Sequence, residues 1–290
     1  MTIRTYQDAV AFVTGGASGI GKAITRSLVA QGATVVIADR QDDIVHQVAD
    51  ELGGKAKRVQ GVVLDVRDAG AVAQAIEGVF ATHGRLDYLF NNAGTGTAGE
   101  AQDLTLDDWK YVVDVNLMGV IHGVHAAYPR MMKQGFGHIV NTASTAGLTP
   151  TPFIIPYVAT KHAVVGLSRS LRLEGRAYGV HVSALCPGVI RTPLLDNGGR
   201  YGRTKVDVPP DQQKVLWQKL RPMDADVFAA RVLRDVARNV PVIIHPRSWR
   251  VLFWFDKLFP GISERTGVWL YQRARAELYG AAANNDKVPL

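Results

Sequence analysis

Apolar positions along the chain fall into two alternating rhythms. Ala9–Thr14, Thr34–Ala38, Arg58–Leu64, Leu86–Phe90, His138–Asn141 and His181–Leu185 are short, β-branched and nearly continuous runs. Runs that are apolar at successive positions suit strands covered on both faces, as in a parallel sheet. Between them lie stretches with helical spacing, at about 20–31, 42–52, 69–82, 105–133 and 156–177; in the first, Ile20, Ile24 and Leu28 mark one stripe. Strand–helix alternation predicts an α/β architecture built on a doubly wound parallel β-sheet. The rhythm weakens after Pro187. Residues 190–222 bring in charges, glycines and Pro193, Pro209, Pro210 and Pro222, and read as a mobile excursion with helical pieces. A helix over 225–238 and a strand Val240–His245 then resume the alternation. With no repeat and no linker, the pattern predicts one domain over 1–246, followed by a helical extension, 247–290, that is not an independent domain.

Composition narrows this picture without changing it. Hydrophobic residues make up 47% of the chain and charged ones 20%, an ordinary globular balance. The one cysteine, Cys186, cannot form an intrachain disulfide and argues against a cysteine-rich metal site; it reads as a packed strand residue. No metal is expected, since the eight histidines lack ligand spacing. The polar start, Met1 to Asp8, lacks a signal-peptide core, and no long apolar run suggests a membrane span, so a cytoplasmic setting is expected. The net charge of +7 is spread along the chain, which argues against nucleic-acid binding.

The first strand runs into Thr14-Gly15-Gly16-Ala17-Ser18-Gly19-Ile20-Gly21 and then a helix. Glycines there permit a sharp turn and let backbone N–H groups approach a pyrophosphate, with the positive end of the helix behind them. Asp39 ends the second strand, where a carboxylate can accept hydrogen bonds from ribose hydroxyls and would repel a 2′-phosphate. Neutral Ser18 also favours NAD. Arg40 leaves NADP open, because it could receive a 2′-phosphate. Four further features follow in order: Asn91-Asn92-Ala93-Gly94 after the fourth strand, Asn116 within the long helix, Ser144 after the fifth strand, and Tyr157 with Lys161 on one helix face.

Together with Asp65-Val66 and Pro187-Gly188-Val189-Ile190-Arg191-Thr192, these motifs resemble the short-chain dehydrogenase/reductase family over roughly residues 8–246. The resemblance implies a Rossmann-type sheet of order 3-2-1-4-5-6-7, with the dinucleotide across the carboxyl ends of the strands. It implies catalytic roles for four residues. Tyr157 is the general acid/base, Lys161 lowers its pKa and binds the nicotinamide ribose, Ser144 steadies the substrate oxygen, and Asn116 holds a relay water. It implies cofactor contacts from Gly15, Ser18, Gly19, Ile20 and Gly21 at the phosphates, Asp39 and Arg40 at the ribose, and Asp65 and Val66 at the adenine. Asn92, Ala93 and Gly94 are expected on the cleft floor, with Pro187, Gly188, Ile190 and Thr192 near the carboxamide. The implied activity is hydride transfer between NAD(H) and a secondary alcohol or ketone. An NADPH-dependent carbonyl reductase, or a non-catalytic cofactor-binding protein on the same fold, is the alternative. A homodimer or homotetramer is also implied.

The substrate wall is expected from Thr95–Glu100, Ala146–Pro156 and the 190–222 excursion. Leu148, Phe153, Ile154, Ile155, Leu194, Leu195, Tyr201, Leu216 and Trp217 make it apolar, favouring a bulky aromatic, terpenoid or steroid-like substrate. The extension holds three of the five tryptophans, interleaved with arginines. It reads as an amphipathic cover for a neighbouring subunit or for the active-site mouth, or alternatively as a membrane-surface contact.

Overall fold

Seven strands lie side by side, all parallel. In the computed structural model the described residues are 5–54, 56–195, 201–205 and 218–279. The strands of the main sheet are β1 (Val10–Thr14), β2 (Thr34–Asp39), β3 (Val59–Val63), β4 (Tyr88–Asn91), β6 (Gly137–Thr142), β7 (Val180–Pro187) and β9 (Val242–His245). Their order is β3-β2-β1-β4-β6-β7-β9. Counted within this sheet alone, that is 3-2-1-4-5-6-7, the order the resemblance implies. Two short strands, β5 (Thr97–Ala98) and β8 (Arg203–Thr204), form a second parallel pair.

The continuous apolar runs are explained by cover on both faces. On β1 and β2, Ala11, Val13, Val35 and Ile37 point to one side. There they meet Ile24 and Leu28 of α1 (Gly19–Ala30), Val45 and Val48 of α2 (Asp42–Gly53), and Phe228 and Val232 of α7 (Ala225–Ala237). Val10, Phe12, Val36 and Ala38 point to the other side. They pack on Val72, Ile76 and Val79 of α3 (Ala69–His83) and on Ala127 and Met131 of α5 (Gly119–Gln134). Further along, α6 (Ile155–Gly175) supplies Val164 and Val165 to a third cluster, with Ala184, Cys186 and Ile244.

Three expectations are corrected. The helix read over 105–133 is α4 (Leu106–Val113), a π turn at Asp114–Met118, and then α5. The last strand begins at Val242 instead of Val240, because Val240 N–H closes onto Asp235 O at the end of α7 and Pro241 has no N–H to give a ladder. Where the 190–222 excursion is described, it holds a strand as well as a helical piece: Pro193–Leu195 form a 3₁₀ turn and β8 pairs with β5. Arg203 also pairs with Asp107 at 2.6 Å, and Lys205 with Asp108 at 3.4 Å. The rest of that call, with Leu216 and Trp217, lies outside the described residues. The extension is helical in α8 (Trp249–Leu258) and α9 (Pro260–Tyr279).

Candidate active site

The strand order reverses between β2 and β4 on either side of β1, and the loops leaving the carboxyl ends of these strands diverge there. Thr14 stitches this point together: its Oγ1 accepts from Asn92 N–H at 2.9 Å and Ala93 N–H at 3.0 Å. In return, Asn92 Nδ2 donates to Thr14 O at 3.1 Å. The glycines divide by task. Gly15 has φ +64°, and a Cβ on it would lie 2.9 Å from Ala93 Cα. A Cβ on Gly21 would lie 2.0 Å from Gly15 O, so this glycine serves the packing of helix on loop and does not line the cleft. Ser18 is the N-cap of α1 but makes no side-chain cap bond, and the first turn carries no acid. The start of α1, through Ser18, Gly19 and Ile20, therefore borders the cleft with no acid of its own first turn on it.

Asp39 is buried at the end of β2, and its carboxylate accepts from Ala17 N–H and Gln41 N–H, each at 3.2 Å. It thus fixes the glycine loop while still lining the cleft. Arg40 lies with its guanidinium 3.2 Å from the Tyr201 ring centroid. Tyr201, expected on the substrate wall, lines the cleft with its ring against Arg40, and its carbonyl accepts from Thr95 Oγ1 at 3.1 Å. Asp65 is clasped by Arg67, with Nη2 to Oδ2 at 2.6 Å. Burial works against its charge, but the Arg67 hydrogen bonds prevail and hold its carboxyl below the usual range.

At the other end, Ser144 leaves β6 and begins a 3₁₀ turn, its Oγ accepting from Ala146 N–H at 3.1 Å. Tyr157 and Lys161 sit one turn apart on α6, and the Tyr157 hydroxyl hydrogen-bonds Ser144. A Cβ on Gly147 would lie 2.5 Å from Lys161 O, so glycine is what lets the Ser144 turn approach α6 so closely. Lys161 Nζ donates to Thr142 O at 2.8 Å and lies 5.3 Å from the Tyr157 ring centroid. Burial dominates both titrations. It pushes the phenol up, against the Ser144 hydrogen bond, and pushes the ammonium down to about 8.

Asn116 is placed behind the cleft floor. It is fully buried in the π turn. Its Oδ1 accepts from Thr95 N–H at 2.8 Å and its Nδ2 donates to Thr95 O at 3.0 Å. The amide fixes the Thr95 backbone. The cleft, ≈ 370 Å³, is lined by every catalytic and cofactor residue expected except Gly21 and Asn116, whereas Phe153, Ile154 and Ile155 of the expected substrate wall do not line it. Its lining also includes Tyr111, Val115 and Thr142, which the sequence reading missed. Thr142 had a signal, a polar residue closing a buried strand; Tyr111 had none beyond its place on an amphipathic helix. Leu148, expected on the substrate wall, is instead a core residue beside Val164.

Residues 9–200 match the short chain dehydrogenase family. The chain is 37% identical over 207 residues to oxidoreductase UcpA of Salmonella typhimurium, covering 71% of this chain and 76% of that protein. It is 39% identical over 194 residues to cyclohexanol dehydrogenase of Acinetobacter sp., covering 66% of this chain and 76% of that protein. Among solved structures, a short chain dehydrogenase/reductase from Burkholderia phymatum in complex with NAD superposes with a TM-score of 0.79 at 30% identity, over 89% of this chain and 96% of that one. The chain belongs to the short-chain dehydrogenase/reductase family of oxidoreductases.

Proposed function

We propose that this protein oxidises a secondary alcohol, or reduces the corresponding ketone, with NAD(H) in preference to NADP(H). The observation that carries the reading is the convergence of Ser144, Tyr157 and Lys161 at one end of a cleft whose other end holds the buried Asp39 carboxylate. The residues present fit a dinucleotide. Glycine at 15 lets the loop pack against Ala93, where a Cβ would lie 2.9 Å from Cα, and Ser18, Gly19 and Ile20 bring the N-terminus of α1 to the cleft, where a phosphate would be favoured. Asp39 would hold ribose hydroxyls, and Gly188, Ile190 and Thr192 would border the carboxamide. When bound, the nicotinamide supplies the hydride acceptor or donor. Arg40, the feature that left NADP open, is engaged with the Tyr201 ring.

The chain's own residues handle the proton and the charge. Tyr157 Oη takes the proton from the alcohol, or gives it to the ketone oxygen. Ser144 Oγ donates a hydrogen bond to the same oxygen and holds it beside Tyr157. Lys161 has two tasks, holding the nicotinamide ribose and stabilising the phenolate as it forms. Asn116 positions the Gly94–Thr95 backbone that borders Lys161. The likeness to a cyclohexanol dehydrogenase supports the alcohol/ketone class. Leu194 and Leu195 on the cleft support a bulky, apolar substrate.

A panel of secondary alcohols, from cyclic aliphatic to polycyclic, with NAD⁺ or NADP⁺ and followed at the nicotinamide absorbance band, tests this. Turnover with NAD⁺ that improves with apolar bulk is expected. Turnover of no alcohol and no ketone in the panel, or better kcat/KM with NADP⁺, would sink the corresponding half of the proposal.

A further inference from the structure

The two C-terminal helices present two unlike faces. On α9, Ser263, Gly267, Tyr271, Ala274 and Arg275 recur at helical spacing and are partly buried. Tyr271 Oη donates to Glu100, Arg275 Nε donates to Glu100 Oε1 at 2.9 Å, and the Tyr271 ring lies 5.2 Å from that of Phe153. On α8, Trp249 and Phe253, four apart, pack against the cluster containing Val164 and Cys186. The inner faces therefore hold the extension against the Glu100 and Phe153 loops, and Trp249 packs on Gly188 of the cleft lining.

The outer faces are apolar and uncovered. Among the described residues, nine of the seventeen exposed large hydrophobic side chains lie between Val251 and Leu270. Val251 is 72% exposed, Trp254 57% and Trp269 56%, with Leu258, Phe259 and Ile262 beside them. A patch of this kind marks an interaction surface. Its charge says what it fits. From Arg247 to Glu277 there are six lysines and arginines against three acids. Arg273 pairs with Glu277 and Arg275 with Glu100, and the other four, Arg247, Arg250, Lys257 and Arg265, outnumber Asp256 and Glu264 two to one. Lys257 and Arg265 are exposed among the apolar side chains, and Arg273 lies 5.7 Å from the Trp269 ring centroid.

A two-fold contact between copies would set this basic face against itself, whereas interface cores are depleted in charge. Aromatic rings interleaved with lysine and arginine match the headgroup region of an anionic bilayer, where the rings sit at the boundary and the cations meet phosphates. Among the described residues no helix is long and apolar enough to cross a membrane, so contact of this kind lies in the plane of the surface.

We propose that the outer face of α8 and α9 docks on an anionic lipid surface. Docking holds the substrate end of the cleft next to the bilayer, where an apolar substrate concentrates. That last consequence rests on the oxidoreductase reading, but the docking does not. The test is co-flotation of the full chain, without substrate, with vesicles of phosphatidylcholine alone or mixed with phosphatidylglycerol. Binding is expected with the mixed vesicles, weakening with salt, together with a blue shift of tryptophan emission. The paired change Trp254→Ser and Trp269→Ser is expected to weaken binding about tenfold or more, as loss of two buried rings implies. Lys257→Glu with Arg265→Glu, at exposed positions that leave the fold untouched, is expected to abolish the preference for anionic vesicles while the thermal midpoint holds. Failure of the wild type to float with either vesicle would overturn the proposal. So would a wild-type oligomer, seen by light scattering, that the tryptophan pair converts to monomer, because the face then belongs to a second copy.

Discussion

The two ends of the main sheet carry the same kinds of side chain and put them to opposite use. At the amino ends of the strands, Tyr6, Tyr88, His138 and His181 form a chain of rings, with centroids 5.0, 6.2 and 5.6 Å apart in turn. Tyr6 Oη donates to Leu233 O at 2.6 Å, and His138 Nε2 meets Ser183 Oγ at 2.9 Å. Burial raises the Tyr88 phenol to about 12 and lowers the His138 imidazole to about 3. At the carboxyl ends, burial likewise raises Tyr157 and lowers Lys161. Displaced titration is therefore not what distinguishes the reactive end. The difference is the void: Tyr157 and Lys161 border an open cleft, whereas Tyr6, Tyr88 and His138 are buried in the packing and His181 is partly so.

The sharpest way to break this comparison is to remove one hydroxyl from each end. Tyr157→Phe is expected to lower kcat by roughly 10²–10⁴-fold, the range for a positioned acid/base, while thermal melting and dinucleotide binding stay near wild type. Tyr6→Phe is expected to leave kcat unchanged. Near-normal turnover by Tyr157→Phe on a confirmed substrate would remove the distinction.

Next in size is the cofactor choice. Asp39→Ala is expected to shift the ratio of kcat/KM for NAD⁺ over NADP⁺ toward NADP⁺ by roughly ten- to a hundredfold, since it removes a like charge facing a 2′-phosphate. An unchanged ratio would show that Asp39 serves only the Ala17 and Gln41 backbone.

Smaller effects appear in stability against pH, on opposite sides of neutrality. His138 binds a proton near 6.5 when unfolded and only near 3 when folded. Between those values the unfolded chain holds more protons, so stability rises with pH across that window and is lost as pH falls through it. Lys161, at about 8 folded and 10.5 unfolded, makes stability of the chain without cofactor rise again across that higher window. Chemical denaturation over pH is expected to lose the acid limb in His138→Gln and the alkaline limb in Lys161→Met; limbs that persist in both variants would contradict the assignment. Smallest is the stability cost of Tyr6→Phe, about 1 kcal/mol for one buried hydrogen bond.

The fold was legible because the main-sheet strands advertise themselves. Runs such as Ala9–Thr14 are apolar on both faces, and the resemblance carried by the glycine loop, Asn92–Gly94 and Tyr157–Lys161 orders them. The site was legible wherever a residue's chemistry and its place in a strand-end motif coincide, as at Asp39 and Ser144. Reading failed where a side chain's partner lies far away in sequence. Nothing local to Tyr201 points to Arg40, and nothing local to Asn116 says that its amide belongs to Thr95. Asp65 was visible, but its clasp by Arg67 depends on a turn that two residues alone do not dictate. The inner face of α9 was equally hidden, because Glu100 lies 171 residues from Tyr271.

The π turn at Asp114–Met118 has one more consequence. Gly119 N–H reaches back five residues to Asp114 O, so this turn holds an extra residue and the faces of α4 and α5 are out of phase by about 100°. The segment is therefore constrained in its count as well as its composition. Replacing its residues one at a time leaves the count intact, and a scan of single substitutions would register tolerance at many of them. Deleting any one residue between 114 and 118 would let an uninterrupted α-helix form. That helix would carry either Asn116 away from Thr95 or Gly119 away from its contact with Val66, whose Cγ2 would stand 2.8 Å from any Cβ placed there. A one-residue deletion at these five positions is therefore expected to cost more than one in a surface loop.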